Sequence, residues 1–269
     1  MRIALGIEYL GTAFSGWQIQ RQQRSVQGTL QEALSRIAAH PIQVTCAGRT
    51  DAGVHAVGQV VHFDTDAHRP ERAWTMGANS NLPADVCVAW ARQVDGDFHA
   101  RFSARSRTYR YVMYNARLRS ALLADRAWWL HRQLDVDRMQ AAADQLVGEH
   151  DFSTFRAAEC QARSPVRRVD VAHVTRTGPL ICLEIRANAF LHHMVRNIAG
   201  TLVRVGGGEA EPAWVAEILS RGDRRLAGMT APAGGLYLLA VDYDGQHELP
   251  MAEPGWLPGG PASSHPIAL

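Results

Sequence analysis

The chain has 269 residues, 46% hydrophobic and 20% charged, with a net charge of +2, a composition that lets one large or two small globular domains bury a core without disulfides. No apolar run approaches membrane-span length, the N-terminal M-R-I-A-L-G-I-E-Y lacks a signal-peptide pattern, and Cys46, Cys87, Cys160 and Cys182 form no C-x-x-C pair; this argues against a spanning protein and a zinc ribbon and favours a cytoplasmic protein with reduced thiols. All 28 basic residues are arginine, so lysine Schiff-base chemistry and a P-loop lysine are excluded.

The arginine bias suits bidentate phosphate contacts and base stacking, although genome composition alone produces the same exchange of Lys for Arg. Arg2–Leu10 reads as an apolar strand ending at Gly11, and Gly11–Trp17 as a turn-rich connector. Ser25 is placed to N-cap a helix whose apolar residues Val26, Leu30, Ala33, Leu34 and Ile37 recur at helical spacing. His40-Pro41 stops that helix. Strand-like runs at Ile42–Ala47 and Gln59–Asp64 follow, then a helix from Pro70 or Glu71 to Asn79 and a strand at Val86–Val94. The first third thus has the order β-α-β-β-α-β.

The stretch Cys46–Asp64, C-A-G-R-T-D-A-G-V-H-A-V-G-Q-V-V-H-F-D, joins the two middle strands through a turn holding Gly48, Gly53 and Gly58. Arg49 and Asp51 sit two apart, which in extended chain sends both side chains to one side, and the glycines permit backbone angles that other residues resist. A charged pair on such a connection is a plausible site. Asp51 as a simple turn former fits the same pattern.

The rest of the chain repeats the order. Thr108–Asn115 reads as a strand, Asp137–Gly148 as a helix, Val166–Arg176 and Leu180–Ala187 as a hairpin around Gly178-Pro179, Leu191–Val205 as a helix, Glu211–Ser220 as an added helix and Leu236–Tyr243 as the final strand. Ala100–Arg119 carries Arg101, Arg105, Arg107, Arg110, Arg117 and Arg119 with Phe102, Tyr109, Tyr111 and Tyr114 and no acid, a mixture that can hold phosphates and stack unpaired bases. An ordinary strand with a solvated arginine face is the alternative. In N-A-F-L-H-H-M-V-R-N, the adjacent His192 and His193 do not share a helix face and make a poor metal pair, while Arg196 could reach a carboxylate on another element, although a solvated helix arginine is the simpler reading of this stretch alone.

The expected class is α+β: two ferredoxin-like halves, 1–105 and 106–245, forming one broad mixed or antiparallel sheet with a basic central cleft. A proline-rich tail at 246–269 carries no catalytic residue.

G-R-T-D-A-G-V-H-A-V-G-Q-V at Gly48–Val60 resembles the signature of the bacterial tRNA pseudouridine synthase A family. R-T-Y-R-Y at Arg107–Tyr111, D-F-S-T-F-R at Asp151–Arg156, N-A-F-L-H-H-M-V-R-N-I at Asn188–Ile198 and A-G-G-L-Y-L at Ala233–Leu238 match that family in type and order. The resemblance implies the pseudouridine synthase fold and isomerisation of uridine to pseudouridine at positions 38–40 of the tRNA anticodon stem–loop, without metal or other cofactor. It implies Asp51 as the nucleophile, Arg196 as its charge partner, Tyr109 and Leu236 packing on the two sides of the target base, and Arg49 displacing or holding the flipped nucleotide. It also implies tRNA as partner and a homodimer. Thr108 departs from relatives that carry a basic residue before the tyrosine, a charge that Arg107 could supply.

Two other classes compete. A non-catalytic RNA-binding protein would need the arginines and aromatics but no particular carboxylate. A metal-dependent hydrolase would draw on His55, His62, His192 or His193 with Asp64 or Asp66, yet shows no ligand spacing.

Overall fold

In the computed structural model, residues 1–247 and 249–250 are described, and most of the tail expected at 246–269 lies outside them. The fold is mixed α+β, as expected. The chain divides into two units, one made of Met1–Arg107 with the stretch from Tyr237, the other of Thr108–Leu236. The sequence reading puts this boundary at 105/106 and assigns the last strand to the second half. Residues from Tyr237 group with the first unit because they hydrogen-bond to a strand there.

In the first unit, β1 (Arg2–Tyr9) is an almost wholly buried apolar strand. It lies between β3 (His55–Asp64) and β4 (Val86–Val94), antiparallel to both, with Ile3 opposite Phe63 on one side and Gln93 on the other. Tyr237 and Leu238 of β10 (Leu236–Tyr243) run parallel to His55 and Ala56 of β3, so the order is β4-β1-β3-β10. The strand expected at Ile42–Ala47 shortens to β2 (Thr45–Cys46), paired with Val61 and His62.

Helix α1 (Val26–Ala38) begins where Ser25 Oγ accepts a hydrogen bond from Gly28 N at 3.2 Å, satisfying one of the free amides of the first turn. It buries Val26, Leu30, Ala33, Leu34 and Ala38. Each fully buried valine or leucine contributes about 1.5–3 kcal/mol. Gln31 Oε1 accepts from Val44 N at 3.0 Å, which lashes the chain after the helix back onto it. The helix expected near 71–79 forms with a π-helical turn at Ala73–Gly77, where the fully buried Trp74 packs edge-on to Phe63 with ring centroids 5.1 Å apart.

In the second unit the strand order is β5-β9-β8-β7. Strand β5 (Ala104–Asn115) starts in the first unit and carries into the second. The expected hairpin is present as β8 (Val166–Thr177) and β9 (Leu180–Ala187), with Thr177 opposite Leu180. Two short strands were not anticipated: β6 (Trp128–Leu130), parallel to β5, and β7 (Gly148–Asp151), antiparallel to β8.

The helix expected at Asp137–Gly148 is shorter. Helix α2 (Val136–Ala143) is capped by Asp135, whose carboxylate accepts from Arg138 N at 3.0 Å, and it tightens into a 3₁₀ turn at Asp144–Leu146 before β7 begins. The amide of Gln140 bonds β8 twice, to Ala172 O at 3.1 Å and from Val174 N at 2.6 Å. This repeats in the second unit the helix-glutamine clamp made by Gln31 in the first. Helices α3 (Met194–Gly206) and α4 (Trp214–Arg221) complete the unit.

Candidate active site

The Asp51 loop leaves the sheet after Cys46 and returns at His55. Its extent follows from where hydrogen bonding stops and restarts. Ala47 N still donates to Val60 O at 2.8 Å, and Arg107 Nη2 donates to Ala47 O at 3.0 Å. The carbonyl of Gly48 accepts from Gln59 Nε2 at 2.6 Å. Thr50 is buried, its hydroxyl 2.7 Å from that of Tyr9, and its carbonyl accepts from Trp17 N at 3.0 Å.

On the far side of Asp51, Gly53 N donates to Phe14 O at 3.4 Å, Val54 N donates to Asp51 O at 3.2 Å, and Gly11 N donates to His55 Nδ1 at 2.9 Å. The connector Gly11–Trp17 is thus the brace of this loop. Of the three glycines singled out in the motif, Gly53 takes the left-handed conformation, with φ +78°. A fourth, Gly16, allows the brace to close: a Cβ there would lie 2.8 Å from Thr50 O.

Asp51 itself is half-buried and Arg49 is exposed. A carboxylate at a partly open loop whose flanking residues are pinned is pre-organised to act on a bound molecule. The thiol of Cys46, at the loop entry, is pushed up to about 12 by burial despite the opposing Arg49 charge, so it stays a neutral thiol.

The other expected site residues, Tyr109, Arg196 and Leu236, all belong to the second unit. Tyr109 on β5 is 9% exposed and meets Phe190 edge-on, ring centroids 4.9 Å apart. Tyr111 is two residues along and therefore on the same strand face. Its hydroxyl donates to Pro232 O at 2.7 Å, and burial raises its pKa. Arg196 Nε donates to Ala231 O at 2.8 Å, while Ala231 N donates back to Arg196 O at 3.2 Å. Ala231 and Pro232 lie just upstream of the buried Leu236. One short segment, 231–236, therefore ties the tyrosine strand, the arginine helix and Leu236 together.

The start of α3 differs from the expected Leu191. His193 adopts a left-handed conformation, φ +59°, and the helix begins at Met194. Before it, His192 N donates to Cys160 Sγ at 3.4 Å and His192 O accepts from Ala157 N at 3.0 Å. The imidazoles of His192 and His193 lie 4.0 Å apart.

The histidines and aspartate considered for metal in the first unit have structural contacts. His62 Nδ1 accepts from Ala100 N at 3.1 Å, and its pKa is lowered to about 4 by burial and the Arg2 charge. Both carboxylate oxygens of Asp64 accept from Arg2 at 2.8 Å.

The acid-free arginine run is neutralised in part from elsewhere in the chain. Arg105 forms a two-point ion pair with Asp244, at 2.6 and 2.5 Å. Arg110, 3% exposed, pairs with Glu184 at 2.9 Å. Arg107 donates to the carbonyls of Ala104, Ala47 and Arg101. Arg101, Phe102, Arg117 and Arg119 are exposed. Tyr9, Thr50, Gln59 and the Gly11–Trp17 brace were not foreseen as parts of the site, although Thr50 and Gln59 stand inside the motif.

Sequence comparison gives the assignment. A family model described as tRNA pseudouridine synthase matches residues 6–103 and 142–244. The chain is 58% identical over 260 residues to the tRNA pseudouridine synthase A of Aeromonas hydrophila, covering 96% of this chain and 97% of that one. It is 56% identical over 250 residues to the enzyme of the same name from Vibrio parahaemolyticus, covering 93% and 95%, and 57% identical over 243 residues to that of Methylococcus capsulatus, covering 90% of each. The chain belongs to the tRNA pseudouridine synthase family and is an isomerase.

Proposed function

We propose that this enzyme isomerises uridine to pseudouridine at positions 38–40 of the tRNA anticodon stem–loop, with Asp51 as the nucleophile. The observation that carries the reading is the Asp51 loop, a half-buried carboxylate between residues pinned by Gln59, Tyr9, Phe14 and Trp17, inside the stretch 6–103 that the family model matches.

In this reaction the N1–C1′ bond breaks, the freed uracil rotates, a C5–C1′ bond forms, the C5 hydrogen leaves as a proton to solvent, and N1 takes up a proton in its place, so that substrate and product are isomers. The carboxylate of Asp51 acts in its ionised form, by attack on C1′, by addition at C6, or by assisting a glycal. The target uridine must first leave the stack at a cost of a few kcal/mol, offset by phosphate contacts and stacking. Arg196 serves as the charge partner of Asp51, Tyr109 and Leu236 pack on the two faces of the base, and Arg49 holds the flipped nucleotide. The exposed Arg101, Arg117 and Arg119 are suited to the RNA backbone. The enzyme works as a cytoplasmic homodimer with tRNA lying across both subunits.

The test uses an unmodified tRNA transcript labelled with tritium at uridine C5. Incubation with the enzyme alone is expected to release label from the anticodon-arm uridines, since C5 loses its hydrogen only when the new carbon–carbon bond forms. Absence of release from every tRNA carrying uridine at 38–40 would defeat the proposal.

A further inference from the structure

We propose that Gln59 is a positioning residue for Asp51, a proposal that rests on the reading of Asp51 as the nucleophile. Gln59 lies on β3 opposite Ile7 of β1 and is 0% exposed. A wholly buried strand position is ordinarily filled by an apolar side chain, because an amide there must be hydrogen-bonded to offset its lost hydration. Gln59 meets that demand by half: Nε2 donates to Gly48 O at 2.6 Å, whereas Oε1 meets no hydrogen-bond donor among the described residues. Core packing alone would be served better by an apolar residue of the same length. The bond to Gly48 is the feature that such a residue could not reproduce.

That bond falls where main-chain pairing ends. Thr45 and Cys46 pair with His62 and Val61, and Ala47 N still reaches Val60 O. At the next residue the side chain of Gln59 takes the carbonyl of Gly48. Just beyond Gln59 the β1–β3 register shifts. Ile7 is opposite Gln59 but Tyr9 is opposite Ala56, so β3 holds one extra residue there. Such bulges bend a strand and re-aim its side chains, often beside active sites. Gln59 thus fixes the point from which the loop departs, three residues before Asp51, and the Tyr9–Thr50 hydroxyl pair fixes the residue just before it. With the first pin removed, the carboxylate would shift relative to its target, and misplacements of about 1 Å cost on the order of 10²-fold in rate.

The test is Gln59→Met, which keeps the length of the side chain and removes its donor. Single-turnover release of C5 label is measured at saturating enzyme, together with the Kd for the same tRNA and the melting temperature. The expected result is a rate lower by about 10–100-fold, with Kd within about twofold and the melting temperature at or above that of the parent protein. Gln59→Asn, one methylene too short to reach Gly48, carries the same expectation if Gln59→Met does not fold. A variant with the parent rate overturns the proposal, as does one whose rate, affinity and melting temperature fall together. Asp51→Asn is measured alongside. If it is inactive while Gln59→Met is fully active, the positioning role alone fails; if Asp51→Asn is active, the nucleophile assignment itself fails.

Discussion

The hydroxyls of Tyr9 and Thr50 lie 2.7 Å apart in the interior of the first unit, joining the end of β1 to the residue next to Asp51. This bond couples a core strand to the Asp51 loop. Tyr9→Phe keeps the ring, which lies 6.1 Å from that of Trp17, and removes the hydroxyl contact. The variant should lose about 1–3 kcal/mol of stability, the usual range when one member of a buried hydrogen bond is removed. Single-turnover rates should fall more than tRNA affinity does. Urea denaturation and label release check the two parts.

The arginines of the 100–119 segment should separate into two classes. Arg110 is buried against Glu184, so Arg110→Met leaves an almost buried carboxylate without its partner and should cost about 3–5 kcal/mol. Arg117→Ala and Arg119→Ala remove exposed charges. Each should leave the melting temperature unchanged and reduce the slope of log Kd for tRNA against log salt by about one. Melting curves and a salt titration of tRNA binding distinguish the classes.

His62 makes stability depend on pH. Its folded-state pKa, lowered to about 4 by burial, then by Arg2 and His99, lies below its ordinary 6.5. The unfolded chain therefore binds a proton over a range where the folded chain does not. Stability is unaffected above about pH 6.5, declines as pH falls from there, and has lost the full contribution below about 4, an effect on the order of 1–3 kcal/mol. His62→Gln should be less stable than the parent at pH 7.5, because the bond from Ala100 N is disturbed, yet lose less between pH 7 and 5. Urea midpoints at both values check this. An equal loss in the two proteins would contradict it.

Helix capping supplies a further check on the first unit. Ser25→Ala removes the acceptor for Gly28 N and should cost about 0.5–2 kcal/mol, read as a shift in urea midpoint with no change in single-turnover rate.

Much of this architecture was legible from local pattern. Strand β1, the capped helix after Ser25, β4, the β8–β9 hairpin and the last strand follow from apolar spacing and turn residues close by in sequence. What escaped has non-local causes. Strand β7 is a short polar run, G-E-H-D, that becomes a strand by pairing with β8. The start of α3 moves to Met194 because His193 takes a left-handed conformation in a turn held by Cys160 and Ala157, and nothing in L-H-H-M signals that. Arg110 reads as unpaired in a 20-residue window because Glu184 is 74 positions away. The site divides in the same way. Asp51 stood out as a charge on a glycine-rich turn, but the residues that pin its loop come from β1, the Gly11–Trp17 connector, β3 and β5, contacts visible only once the sheet is assembled.

Asp51→Asn tests the central claim most directly, because it removes the charge while nearly preserving shape. Purified parent and variant are compared for release of C5 label from the same tRNA and for tRNA affinity. The account predicts release at background for the variant, with Kd within about threefold of the parent, the pattern of a lost reacting group and not of lost binding. Release by the variant at a rate near that of the parent would contradict it.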